Sequence, residues 1–209
     1  MRTVSILTMM VFLLCSCSYH GTIAKPGIGG PSRANMGSAR YNVVACIMEG
    51  TDNHQMVIDS GCGDTVIDFA LGDYLQGSLQ GLFAKTMVLG ERQSVADCGL
   101  YIYPKQEIVC YGEEMVYNFE MRMKESANGR QYFSYKTSET GECNQSSPGL
   151  MFFSTLLFPP VLGGFFYAMN AHGKSKGNFE AAEVMIRKAI ENNVSAFAKE
   201  DLAELQGNR

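Results

Sequence analysis

The 209-residue sequence is short of charge and short of the patterns that hold metals, phosphates or nucleic acid. It has no Cys-x-x-Cys and no His-Glu-x-x-His, and its three histidines, His20, His54 and His172, lie far apart. A structural zinc site needs about four clustered ligands, so no metal is expected. Lysine and arginine number 17 against 21 aspartates and glutamates, a net charge of −4. With no basic stripe interleaved with aromatics, that balance removes nucleic acid from the expected partners. Gly27, Gly29 and Gly30 have no strand before them and no helix after them, so a phosphate loop is unsupported and no cofactor is called for. Ser60 lacks the small-x-Ser-x-Gly elbow of hydrolases and has no histidine placed to serve it. Asp59, Asp64 and Asp68 are too irregularly spaced for a calcium loop. No internal repeat is present. What remains is a chain with 46% hydrophobic and 18% charged residues, able to bury the core of one domain with a small appendage.

The N-terminus carries the most specific pattern. Met1 and Arg2 give a short positive start, and residues 3–14 form an uncharged apolar run. That run is too short to span a bilayer and has the length of a signal-peptide core. It leads into Leu14-Cys15-Ser16-Cys17, which resembles the lipobox of bacterial lipoproteins. The resemblance implies removal of residues 1–16, acylation of Cys17 and attachment of the chain to a membrane through lipid. Each buried methylene of the acyl chain contributes roughly 0.8 kcal/mol. Cys15 departs from the residue usual at its position, and it is the poorer acceptor because bulky Leu14 precedes it. In that family a residue other than Asp after the cysteine implies the outer membrane, and Ser18 stands there. The alternative is an ordinary secretory signal cut near Ser16 or Ser18. Residues 17–39, rich in Gly, Pro and Ser, read as a tether.

Residues 40–170 read as a β-rich domain. Strand-like runs occur at 41–48, 55–59, 84–89, 99–103, 107–111 and 114–123, with the first two forming a hairpin, and 65–71 reads as another strand or a short helical turn. The expected fold is mainly β, a small barrel or sandwich with a C-terminal amphipathic helix. The helix spans 177–206, where Phe179, Ala182, Ile186, Ile190, Val194 and Phe197 recur at intervals of three and four. Asn178 is placed to cap it, and Glu180 and Glu183 suit its positive end. Residues 125–148 are polar and read as a long loop. Residues 150–169 carry no charge and are long enough to cross a bilayer, with Lys174 and Lys176 beyond them. Pro159-Pro160 and Gly163-Gly164 oppose a span and favour buried core.

Five cysteines remain if Cys15 is removed and Cys17 acylated: Cys46, Cys62, Cys98, Cys110 and Cys143. The odd number leaves at least one unpaired in an oxidising compartment. Cys98 and Cys110 flank a strand-like stretch and are the candidate hairpin staple. Cys62 is a candidate free thiol.

Met56-Val57-Ile58-Asp59-Ser60-Gly61-Cys62 resembles the active-site loop of retroviral-type aspartic proteases. The resemblance implies Asp59 as the catalytic carboxylate, Ser60 bracing it and Gly61 making the turn. Val161-Leu162-Gly163-Gly164 would pack beneath that loop as the family's apolar-apolar-Gly element. Two carboxylates must share one proton in this chemistry, and the sequence supplies one copy, so a homodimer acting on a peptide or protein substrate is implied. Cys62 stands where Ala is usual, and Asp-Ser-Gly is also a favoured turn sequence. The competing expectation is a non-catalytic envelope lipoprotein that binds partners or scaffolds an assembly. A third is a single-span protein with a cytoplasmic C-terminal helix.

Overall fold

The computed structural model describes residues 18–24, 41–50, 54–59, 64–90, 98–126, 129–145 and 160–200. Along these run β1 (Tyr19–Thr22), β2 (Tyr41–Glu49), β3 (Gln55–Ile58), β4 (Thr65–Asp68), α1 (Leu71–Leu79), β5 (Phe83–Gly90), β6 (Leu100–Tyr111), β7 (Glu114–Glu125), β8 (Gln131–Glu142) and α2 (Pro160–Glu200). The fold is mainly β, with two sheets and a long C-terminal helix. The sheets stay open, ordered β1-β4-β3 and β5-β2-β6-β7-β8 among the described residues.

Alternation of apolar and polar residues builds the larger sheet. Met115, Tyr117, Phe119, Met121 and Met123 of β7 are all fully buried, and the residues between them are partly exposed. Gly112, at φ +63°, takes the first position of the two-residue turn between β6 and β7, where a type II′ turn needs that backbone angle. The buried stripe of α2, from Phe179 through Ala182, Ile186, Ile190 and Val194 to Phe197, joins the same core. Phe197 ends the stripe among Tyr41, Phe83 and Phe133, with ring centroids 5.8, 5.7 and 5.3 Å away. Gly141 lets the helix close on β8, since a Cβ there would meet Met185 Sδ at 3.0 Å.

Several expectations from the sequence are corrected. Strands 41–48 and 55–59 do not form a hairpin: β2 lies between β5 and β6, parallel to both, and β3 instead pairs antiparallel with β4. α1, in the connection from β4 to β5, was hidden by the two glycines of its short sequence. Part of the supposed loop 125–148 is β8, whose polar alternation suits an edge strand covered on one face only. The supposed tether begins with a strand, because Tyr19-His20-Gly21-Thr22 pairs in parallel with β4 and the Gly/Pro-rich stretch comes after it. Asn178 does not cap a helix. It lies inside α2, which starts at Pro160, a residue whose missing N–H costs nothing at a first helical position.

The Cys98–Cys110 staple is also corrected. The two residues flank or end the extended strand β6, which separates them by roughly 40 Å at ~3.4 Å per residue, far beyond disulfide reach. Cys46 pairs with Cys98 and Cys110 with Cys143, with Cα separations of 5.9 and 6.0 Å. Cys62 lies outside the described residues. No helix among those residues is long and apolar enough to cross a membrane. The packing of α2 on the sheets also removes the reading of that helix as a separate cytoplasmic element.

Candidate functional site

One end of the small sheet brings together the starts of β1 and β4 and the end of β3. Ile58 of β3, Thr65 of β4 and Tyr19 of β1 stand in one row across the sheet. Asp59 follows β3 and is exposed, and Asp64 precedes β4, its carbonyl accepting from Tyr19 N–H at 2.9 Å. The Asp-Ser-Gly corner therefore falls within the connection between two antiparallel strands, in keeping with its turn chemistry. Ser60 and Gly61 lie outside the described residues, as does Cys17, two positions before β1.

α2 is clamped at this same end. The Tyr19 ring meets His172 and Phe179, each at 5.5 Å between centroids. Thr65, fully buried, donates its hydroxyl to the Ser175 carbonyl at 3.0 Å. Gly21 is pressed against Phe179, and a Cβ at that position would lie 2.3 Å from the ring. From the other side, buried Asn178 imitates a backbone partner: its Oδ1 accepts from Asn144 N–H at 2.7 Å and its Nδ2 donates to Asn144 O at 3.2 Å. Lys174 Nζ donates to Gln145 O at 2.7 Å. The Cys110–Cys143 disulfide fixes the chain immediately before Asn144.

At the far end of β1, Arg187 donates to Glu183 (2.7 Å), to the Tyr74 hydroxyl (3.3 Å) and to Ala24 O (3.5 Å). The hydrogen bonds to Glu183 hold the guanidinium above its ordinary range, and burial raises the Tyr74 hydroxyl against the opposing pull of Arg187. These contacts tie the N-terminal strand to both helices. Glu49 performs a similar task at α1: its carboxylate accepts from Gly72 N–H at 2.9 Å, where Ala70 offers no side-chain cap.

The protease-like constellation is only partly assembled. Val161, Leu162, Gly163 and Gly164 lie in the first turns of α2, a helix, so they do not supply the expected element beneath the Asp59 corner. Among the described residues, no group of three or more His, Cys, Asp or Glu side chains is arranged to hold a metal ion. The face of the larger sheet turned away from α2 displays Tyr103, Lys105 and Glu107, all exposed, with Lys124 Nζ 5.4 Å from the centre of the Tyr103 ring. Sequence reading missed Tyr19, Thr65 and Asn178 as clamp residues. For Tyr19, the available signal was the short β-prone run directly after Cys17.

No family model matches the chain, and no curated protein matches it. Among solved structures it is similar to a DUF330 protein from Xanthomonas campestris at 8% identity and TM-score 0.48, over 90% of this chain and 98% of that one. It is also similar to the lipoprotein GNA1162 from Neisseria meningitidis at 13% identity and TM-score 0.28, over 55% of this chain and 95% of that one. A third is the PelC dodecamer from Paraburkholderia phytofirmans, at 12% identity and TM-score 0.31, over 65% of this chain and 87% of that one. Likenesses this distant assign no activity.

Proposed function

We propose that the chain is an envelope lipoprotein, acylated on Cys17, whose folded domain is a non-catalytic binding or assembly module. The observation that carries this reading is the docking of β1. The lipobox-like cysteine stands two residues before a strand held in the small sheet, so an acyl group there would hold the domain against the bilayer with almost no slack. Two disulfides fit an exported, oxidised setting. The exposed Tyr103 face, with both signs of charge, lies outside the clamp and suits a polar protein partner.

The test is metabolic labelling of the full chain with an alkyne fatty acid in an exporting bacterium. Label that is lost in Cys17→Ser supports the anchor, and unlabelled wild type overturns it. Ser18→Asp should move the labelled chain from the outer-membrane to the inner-membrane fraction of a density gradient. Purified wild type and Asp59→Asn should be equally inert toward an unstructured protein from mildly acidic to neutral pH. Cleavage by wild type alone would restore the protease reading.

A further inference from the structure

We infer that the face of the larger sheet turned away from α2 docks a second copy of this chain, about a two-fold axis that crosses β6 between Lys105 and Glu107. This rests on the binding-module reading above and names the module's partner. Side chains alternate along a strand, so the outward residues of β6 run Tyr101, Tyr103, Lys105, Glu107, Val109 and Tyr111. In register beside them on β7, Lys124 lies opposite Tyr101, Arg122 opposite Tyr103, Val116 opposite Val109 and Glu114 opposite Tyr111. The face is open toward both ends, with Tyr103 40% exposed and Tyr111 69% exposed.

The sign of charge inverts about the middle of this face. Lys105, Arg122 and Lys124 stand on one side of it, Glu107 and Glu114 on the other, and Glu142 of β8 pairs beside Glu114. Glu120 is the exception in the cationic half, where Arg122 holds it at 3.0 Å. A two-fold axis lying between two such faces reverses the strand direction and sets each strand against its own copy. Lys105 then meets Glu107 and Lys124 meets Glu114, each pair occurring twice, while Tyr103 meets Val109. Sheets pack face to face at about 10 Å, within reach of lysine and glutamate side chains extended from the two sides. Rows from Tyr101 to Tyr111 run ~34 Å along the strands, and β6–β8 cover ~14 Å across them. Contact over that area removes roughly 500 Å² per copy, and the total of about 1,000 Å² meets the lower limit for a specific interface. Mixed signs disfavour an anionic polymer or a lipid surface. Inversion of sign about one point is what a second copy requires and an unrelated partner does not.

The experiment follows the full-length chain, purified in detergent, by sedimentation equilibrium at low salt. Wild type should form dimers that weaken as salt is raised. One variant carries Lys105→Glu/Lys124→Glu, and a second carries Glu107→Lys/Glu114→Lys. Each alone should dimerise roughly tenfold or more weakly than wild type, because like charges then meet at every pair. Mixing the two should restore pairing to within about tenfold of wild type. Trypsin resistance equal to that of wild type reports that both variants are folded. Wild type that stays monomeric up to about 100 μM overturns the inference, as does a dimer that neither variant weakens or a folded mixture that fails to pair. In the exporting bacterium, a photo-crosslinking benzoylphenylalanine in place of Tyr103 should join two copies of the chain. An adduct with a different protein in its place overturns the second copy and leaves the binding-module reading standing. Monomeric wild type with no adduct at all overturns both.

Discussion

From 172 to 197, α2 sets a buried stripe against the sheets and turns Lys176, Glu180 and Lys188 outward; from 160 to 171 it has no charge on any face. One continuous helix thus carries two patterns. A helix with a single apolar side is read as packing on a protein, and buried Ala168 and Ala171 carry that side of α2 back beyond the charged residues. The clamp of Tyr19, Thr65, Asn144 and Asn178 stands where the charged residues of the helix begin.

The largest effect that would sharpen the contrast is in the packed half. Phe197→Ala removes a ring from the cluster of Tyr41, Phe83 and Phe133 and should cost about 3–5 kcal/mol in urea unfolding. Met169→Ser, at an exposed position before the clamp, should move the urea midpoint little. Equal destabilisation by the two substitutions would erase the distinction between the halves.

Removing the Cys110–Cys143 disulfide by paired Ser substitutions comes next. It closes a 33-residue separation, worth about 4 kcal/mol in the chain-entropy model, with engineered removals commonly nearer 2–4. Because Cys143 precedes Asn144, hydrogen exchange should quicken around 174–178 before it does around 190–197. Uniform loss of protection along α2 would mean that the clamp is no boundary.

Patterns with strict periodicity were legible from sequence. The strand-like run at 114–123 falls within β7, and the three-and-four spacing of the α2 stripe places the residues that the core buries. What was not legible depended on distant partners. β2 and β3 look like a hairpin because they are adjacent and β-prone, yet β2 finds two parallel neighbours brought by the later β5 and β6. The disulfides follow the same rule: sequence proximity favours Cys98 with Cys110, and the extended strand between them forbids it. The candidate site was half visible. The lipobox-like cysteine and the Asp59 corner stand out as motifs, whereas the pairing of β1 with β4, which includes the Tyr19 N–H to Asp64 carbonyl bond, depends on distant partners.

Gly21→Ala should produce an intermediate effect at the seam itself. The added methyl meets the Phe179 ring, and relief by a shift of β1 or of the ring should cost about 1–3 kcal/mol. Amide exchange in β1 should rise more than in β7. If β1 loosens, the distance between the bilayer and the body should become variable, seen as broader spin-label distances from a site on β8 to the lipid surface. Unchanged exchange in β1 would show that the strand is not held by α2.

The smallest effect concerns Tyr117, on the β7 face that packs against α2. Burial raises its hydroxyl well above the ordinary 10.0, and Tyr74 is raised in the same direction. The folded state therefore holds these protons more tightly than the unfolded chain does. The stability they contribute is present in full below about pH 10 and is lost as the pH climbs through and beyond that value. Tyr117→Phe gives up the hydrogen bond to Gln106 Oε1, 3.1 Å away, at about 1 kcal/mol near neutrality, and should flatten the alkaline fall in the urea midpoint.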